Sequence, residues 1–294
     1  MKKLFIIPLL CGAIVTQAQI IGHTTGSYTA TPDQEHQLHK ARLLYNEKNF
    51  DMAEVLLRNI IDDAATTTVQ REAETILTLI AYKKDAATAG DAIEEYLNKY
   101  PDTPERNRML AFALLSDYAQ GNYRQVTEGM YEIDPDMLCE EERDDVILAY
   151  ALSMIQQERY DEAAAQLSIL NAISNRYDKE AVFYTAYTDY TTGRYDRAQE
   201  GFEQMLSTRK YHKEARYYLA ETALATSNYA DAEALATAYL DEYGDNDQLA
   251  LEMKRLQGEA LYAQKQYLKA AIVLEEYLAG TEEPQRNALY QLGM

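Results

Sequence analysis

The sequence predicts an all-α solenoid, a stack of about seven helical pairs followed by an unfinished helix. Three observations predict it. A short pattern built around an aromatic residue recurs along the chain, with a mean spacing near 36 residues. Small residues return at a fixed offset from each copy, as a close crossing of two helices requires. The composition, with 47 % hydrophobic residues, 6 Pro and 12 Gly, is that of a folded, helix-rich chain.

The chain of 294 residues opens Met1-Lys2-Lys3, runs apolar from Leu4 to Val15, and continues Thr16-Gln17-Ala18-Gln19. A basic start, a short apolar segment and a small residue at the cut form a secretory signal peptide over 1–18, cleaved after Ala18. The segment falls short of the roughly 20 residues that span a bilayer. Cys11 lies inside it behind Leu10, where a lipid-attachment signal wants a small residue, so an unlipidated exported chain is expected. Residues 19–32 read as a linker. Only Cys139 remains after cleavage, so no intrachain disulfide can form.

The recurring pattern reads KNFDMA at 48–53, GNYRQV at 121–126, ERYDEA at 158–163 and GRYDRA at 193–198. It returns as SNYADA at 227–232 and KQYLKA at 265–270, with a weaker TAGDA at 88–92. The closing residues, here called anchors, are Ala53, Ala92, Val126, Ala163, Ala198, Ala232 and Ala270, separated by 39, 34, 37, 35, 34 and 38 residues. Three before them stand Phe50, Ala89, Tyr123, Tyr160, Tyr195, Tyr229 and Tyr267. Twelve before stand Ala41, Ile80, Leu114, Ala151, Ala186, Ala220 and Gly258, mostly small. Each copy reads as two helices joined by a tight turn. One such pair cannot bury its apolar stripe alone, so neighbours must stack into a continuous core.

This spacing and choice of residues resemble the tetratricopeptide repeat, over 33–294. The copies depart from that pattern in lacking Trp and, in the second, the turn aromatic. The resemblance implies a right-handed α-solenoid in which the first helix of each pair lines a concave groove. Thr31-Pro32-Asp33-Gln34 fits a helix start. Tyr100-Pro101-Asp102-Thr103-Pro104, Asp134-Pro135 and Tyr243-Gly244-Asp245 fit joints between repeats. The joint at 100–104 is similar to those of periplasmic tetratricopeptide proteins. The leader and the glutamine after its cut resemble exported proteins of Bacteroidetes-like bacteria, so a periplasmic location is expected. From Pro284 the chain reads as the first helix of a further repeat, and the expectation is a fragment of a longer array.

Candidate chemistry is sparse. Glu35, His36 and His39 share one helix face but read as surface residues, with no third ligand dedicated to a metal. Cys139 reads as a buried or inert thiol. Glu140-Glu141-Glu142 with Asp144-Asp145 fits the acidic preference of a helix N-terminus. No phosphate loop, zinc spacing or serine-nucleophile elbow occurs, so the expectation is no enzyme and no cofactor.

The formal charge is −20, and it becomes −22 once the two leader lysines are removed. That argues against nucleic acid or anionic lipid as partner and for a basic protein or peptide. The chain has 25 Tyr and no Trp, and the resemblance puts several of them on the groove. Tyr184, Tyr187, Tyr190, Tyr217, Glu221 and Tyr262 are the candidate partner-binding residues, with filling the gaps between repeats as the competing role for the tyrosines. The function expected is a non-enzymatic scaffold of the cell envelope. The alternatives are a glycan- or peptidoglycan-binding module, or the docking arm of an enzyme domain beyond residue 294.

Overall fold

The structure is a computed structural model that describes residues 32–63, 67–282 and 285–293. The leader, the linker to residue 31 and Pro284 lie outside the described residues. Among those described there are fifteen α-helices and no strand. The chain divides into two compact units, Met1–Glu158 and Arg159–Met294, and the division falls in the turn of the fourth repeat.

The first unit holds α1 (Pro32–Asn46), α2 (Phe50–Asp62), α3 (Thr67–Lys84), α4 (Gly90–Lys99), α5 (Arg106–Gln120), α6 (Tyr123–Gly129) and α7 (Glu140–Gln156). The second holds α8 (Tyr160–Ile173), α9 (Asp178–Thr191), α10 (Tyr195–Met205), α11 (His212–Ala225), α12 (Tyr229–Tyr243), α13 (Ala250–Ala263), α14 (Tyr267–Gly280) and α15 (Arg286–Gly293). Within each unit every helix packs on the next. First helices also meet across repeats, α1 on α3 and α5 on α7 in one unit, α9 on α11, α11 on α13 and α13 on α15 in the other. This is the layout of an α-solenoid.

Six anchors are buried to within 1 % of complete: Ala53, Val126, Ala163, Ala198, Ala232 and Ala270. The seventh expectation needs correction. Ala92 is only half-buried, and Ala89 holds the anchor place instead. Buried Ile93 and Tyr96 follow Ala89 at four and seven residues, as Leu57 and Ile60 follow Ala53. The cause is local. Asp85 caps a 3-10 turn over Ala86–Thr88, accepting from the Ala87 N–H at 3.0 Å, and this turn replaces the one used elsewhere. With Ala89 as anchor the neighbouring spacings become 36 and 37, so the repeat is more regular than its sequence suggests.

In the other six repeats the turn is set by one residue five before the anchor, held at positive φ. These residues are Lys48, Gly121, Glu158, Gly193, Ser227 and Lys265, with φ between 58° and 80°. The following residue then returns its N–H to the first helix, as in Asn49 to Leu44 O at 2.8 Å and Asn228 to Ala223 O at 2.8 Å. That is the bond which closes a helix end around a left-handed residue. The turn aromatic next packs on a ring eight before the anchor. Tyr45–Phe50, Tyr118–Tyr123, Tyr190–Tyr195 and Tyr262–Tyr267 have centroids 5.3–6.1 Å apart.

Past the turn, the two helices cross closely. A Cβ added at Gly258 would lie 2.6 Å from Leu274, and one added at Gly201 would lie 2.6 Å from the Ala186 Cβ. The small residues twelve before the anchor therefore set how near the axes come.

Only two of the six left-handed positions are glycine. Ser227→Gly removes the Cβ penalty of that conformation at some cost in unfolded-chain entropy, and should stabilise by about 0.5–1 kcal/mol. Gly193→Ala is the reciprocal test, because an added Cβ there meets nothing within 4 Å and only the backbone penalty remains. Denaturant midpoints should move in opposite directions in the two variants.

Candidate functional site: the wall of first helices

Four of the six candidate residues, Tyr184, Tyr187, Tyr190 and Tyr217, belong to α9 and α11. None is more than 7 % exposed. The expectation of an open tyrosine surface is thus corrected: the rings are core. Three-residue steps along α9 turn successive rings toward α10 and α11 in the same unit. There Phe183 stacks on Tyr211 at 4.5 Å and Tyr218 on Phe202 at 5.1 Å. Tyr187 and Tyr190 meet the same Tyr218 at 5.5 and 5.6 Å. Ring pairs of this kind add roughly 0.5–1.5 kcal/mol beyond their burial. Burial also pushes the Tyr184, Tyr190, Tyr217 and Tyr218 hydroxyls above their usual pKa, so all stay protonated donors.

What reaches the wall is polar. The Tyr190 and Tyr217 hydroxyls donate to the two oxygens of Glu221, at 3.0 and 2.7 Å. Glu221 also pairs with Arg255 of α13. Arg255 is buried and makes two further ion pairs, to Glu252 at 2.8 Å and Glu259 at 3.1 Å. Asn287 of α15 then donates to the other oxygen of Glu259 at 2.9 Å. Burial alone would lower the Arg255 pKa, but Glu221, Tyr217 and Glu259 outweigh it and raise it further. Three carboxylates share one guanidinium, so the wall keeps an excess of negative charge. The network links α9, α11, α13 and α15. Tyr262 lies outside it, half-buried against Tyr267.

Arg255 is not among the candidate site residues, although its position carried a signal. It stands fifteen before its anchor, where other copies carry Leu38, Leu148 and Phe183, and Glu221 stands one repeat earlier. A second missed device is glutamine six before the anchor. Gln120, Gln157 and Gln264 each donate from Nε2 to a backbone carbonyl of the preceding repeat, those of Ala87, Tyr123 and Tyr229, at 2.7–3.2 Å.

The first unit carries its own charged cluster. Arg108 of α5 donates to Glu142 of α7 at 2.8 Å, and Arg143 pairs with Asp144 at 3.0 Å. The acidic run does open α7, as expected of a helix N-terminus, and three of its members, Glu142, Asp144 and Asp145, are buried. Lys83 of α3 is partly buried near them, with its ammonium 5.7 and 5.9 Å from the Tyr82 and Phe112 rings. Desolvation lowers its pKa to about 8, with Glu142 and Asp145 opposing. Cys139 is exposed at the start of α7 rather than buried. Partial desolvation, with the Glu142 carboxylate adding to it, raises its thiol pKa, so it is a poor nucleophile at neutral pH. Glu35, His36 and His39 are exposed on α1.

Residues 190–256 match the tetratricopeptide repeat family. Over that segment the chain carries tetratricopeptide repeats. A tetratricopeptide repeat protein from Parabacteroides merdae aligns with a TM-score of 0.52 at 13 % identity, covering 90 % of this chain and 98 % of that one. The structure titled as a functional characterisation of Pseudomonas aeruginosa pilF aligns with a TM-score of 0.54 at 15 % identity, over 76 % and 96 %. At such identities these likenesses concern the fold alone. No curated protein matches the sequence. The tetratricopeptide fold is that of a protein-interaction scaffold, and the first-helix wall is the part of it described above.

Two tests separate the parts of this wall. Tyr217→Phe removes only the bond to Glu221 and should cost roughly 1.5–3 kcal/mol, whereas Tyr217→Ala also empties the ring site and should cost about 3–5 kcal/mol. Equal losses would place the ring outside the core. Lys83 gives a pH test. Its folded pKa lies below its ordinary value of 10.5, so above about pH 8 the unfolded chain holds a proton that the folded chain has released. Stability should therefore rise with pH through that window, and Lys83→Met should flatten the rise in denaturant titrations.

Proposed function

We propose that this protein is an exported, non-enzymatic scaffold of the bacterial envelope, located in the periplasm, that holds a basic protein or peptide against the first-helix wall of its second unit. The observation that carries this is the charge of the wall: Glu221, Glu252 and Glu259 around the single Arg255 in a chain of net charge −20. A wall with three carboxylates to one guanidinium carries net negative charge, which attracts Lys and Arg side chains and repels acidic chains. Export rests on residues 1–18. Among the described residues no helix is long and apolar enough to cross a membrane.

The glycan-binding alternative asks for open ring faces on which a sugar can lie. The rings of Tyr184, Tyr187, Tyr190 and Tyr217 lie against other rings, so the platform that suggested it is closed. Tyr262 remains the one candidate tyrosine with appreciable exposure, and its contribution would be as an edge contact beside the acids.

The test has two arms. Mass spectrometry of the chain recovered from a periplasmic extract should give an N-terminus at Gln19, and an acylated N-terminus at Cys11 would overturn the localisation. Titration calorimetry with Lys/Arg-rich peptides should show binding that weakens with salt, and Asp/Glu-rich peptides should not bind. Tyr262→Ala should weaken the basic peptides several-fold in the folded fraction, with a stability cost of roughly 0.5–1.5 kcal/mol from the lost ring pair with Tyr267. Equal binding of both peptide classes would remove the electrostatic basis of the assignment.

A further inference from the structure

The acids in the first turns of the second unit's first helices can be compared with one another. Glu180, Glu214 and Glu252 each stand eighteen before an anchor, on α9, α11 and α13. Two of them are neutralised. Glu180 takes the Lys210 ammonium at 2.6 Å, and Glu252 takes Arg255 at 2.8 Å. Glu214 is half-buried, yet it has no ion pair and no hydrogen bond from another side chain among the described residues. The cations around it are engaged elsewhere. Lys213 pairs with Asp247, Arg216 pairs with Glu242 at 2.5 Å, and His212 Nδ1 meets the Arg209 carbonyl at 3.0 Å. Arg209, exposed in the turn before α11, is not among the groups that act on Glu214. With the other acids paired, the Glu214 charge is left over. Burial pushes its pKa up and Asp247 adds to this, against the opposing pull of its own N–H, His212 and Lys213.

Two phenols lie deeper beside this carboxylate. Tyr184 of α9 is 7 % exposed and Tyr211, just before α11, is 1 % exposed, with their rings edge to face at 6.4 Å. The Tyr211 hydroxyl is sealed from water, and no hydrogen bond satisfies it. The polar groups that act on it are the Tyr184 hydroxyl and the carboxylates of Glu180 and Glu214, and the same two carboxylates act on Tyr184. A buried hydroxyl without a partner weakens a fold. The Tyr211 ring earns its place by stacking on Phe183 at 4.5 Å under the Lys210 ammonium, which Phe would do equally well. Its oxygen is therefore surplus to folding, as the Glu214 charge is.

We propose that Glu214, Tyr184 and Tyr211 form a socket for one primary ammonium group, the tip of a lysine side chain of the partner. An ammonium brings three N–H donors and one positive charge. The Glu214 carboxylate and the two phenol oxygens offer three acceptors and one negative charge, with Glu214 at the mouth and Tyr211 the most deeply buried. Both phenols stay protonated and neutral, which suits N–H donors better than a divalent ion that asks for more charge. Oxygens set at increasing depth call for a compact tip on a long stem, whereas a guanidinium is a wide, flat fork. The inference rests on the reading that the partner is basic, and it names the side chain that is held and the place that holds it.

Tyrosine-ring NMR of the whole chain, titrated with Nα-acetyl-lysine methylamide, tests the socket without the partner. The Tyr184 and Tyr211 signals, assigned from Tyr184→Phe and Tyr211→Phe, should move and saturate. The uncharged norleucine analogue should move neither, and the arginine analogue should bind more weakly than lysine. Glu214→Gln should weaken the lysine probe about tenfold or more. Tyr211→Phe should weaken it several-fold with a melting temperature at or above that of wild type, because the free chain loses only an unsatisfied hydroxyl. The socket is overturned if the two signals stay still or if either other analogue binds as well as lysine. It is equally overturned if Tyr211→Phe lowers stability and leaves the probe's affinity unchanged. Lys-rich peptides that hold Glu214→Gln as tightly as wild type would also overturn it, with the basic partner left standing. If the probe binds as expected and no basic peptide does, the socket stands and the reading of a basic partner fails.

Discussion

The structure depends on how closely the two helices of each pair approach. Small buried residues at Ala53, Ala163, Ala198, Ala232 and Ala270 let the helices come close, and added methyl groups at Gly201 or Gly258 would collide with the opposite helix. Close approach fixes where the second helix starts, and a left-handed residue five positions before the anchor turns the chain there. Once those two conditions are met, each pair exposes an apolar edge that only the next pair can cover. Stacking then brings residues about 34 positions apart into contact, which explains the recurring ties of Arg108 to Glu142, Arg194 to Asp161, Lys213 to Asp247 and Arg255 to Glu221.

The tyrosine excess follows from the same geometry. A pair packed on small residues leaves gaps at its ends and between repeats, and a long flat ring fills them while its hydroxyl reaches a polar partner. Tyr96, Tyr239 and Tyr277 show this, each seven residues after its anchor and buried. Their hydroxyls meet Thr75 and Thr103, Asp247, and the Gln285 N–H in turn. In α9 and α11 the rings pack on each other, and their hydroxyls converge on Glu221. Aromatic mass in this protein is therefore a structural material, and the surface it holds in place is acidic.

That division bears on function. The polar groups of the wall are fixed by buried rings and a buried arginine, so its carboxylates are held in place before any contact is made. Under the proposed function, a partner docking there would lose little ordering entropy and would be selected by charge sign and spacing.

The sequence by itself determined the fold class, the anchors at Ala53, Val126, Ala163, Ala198, Ala232 and Ala270, and the turn aromatics, because each depends on contacts within one pair and repeats visibly. It also marked Tyr190, Tyr217 and Glu221 as neighbours on adjacent first helices. Tertiary structure decided what local pattern could not. The shift of the second anchor from Ala92 to Ala89 followed from a capped 3-10 turn, where one sequence is compatible with two registers. The burial of the tyrosines depended on which neighbouring rings filled the space around them. A residue's periodicity places it on a face of its helix, but whether that face meets water is set by side chains one repeat away, as Tyr218, Phe202 and Arg255 are to the residues they enclose.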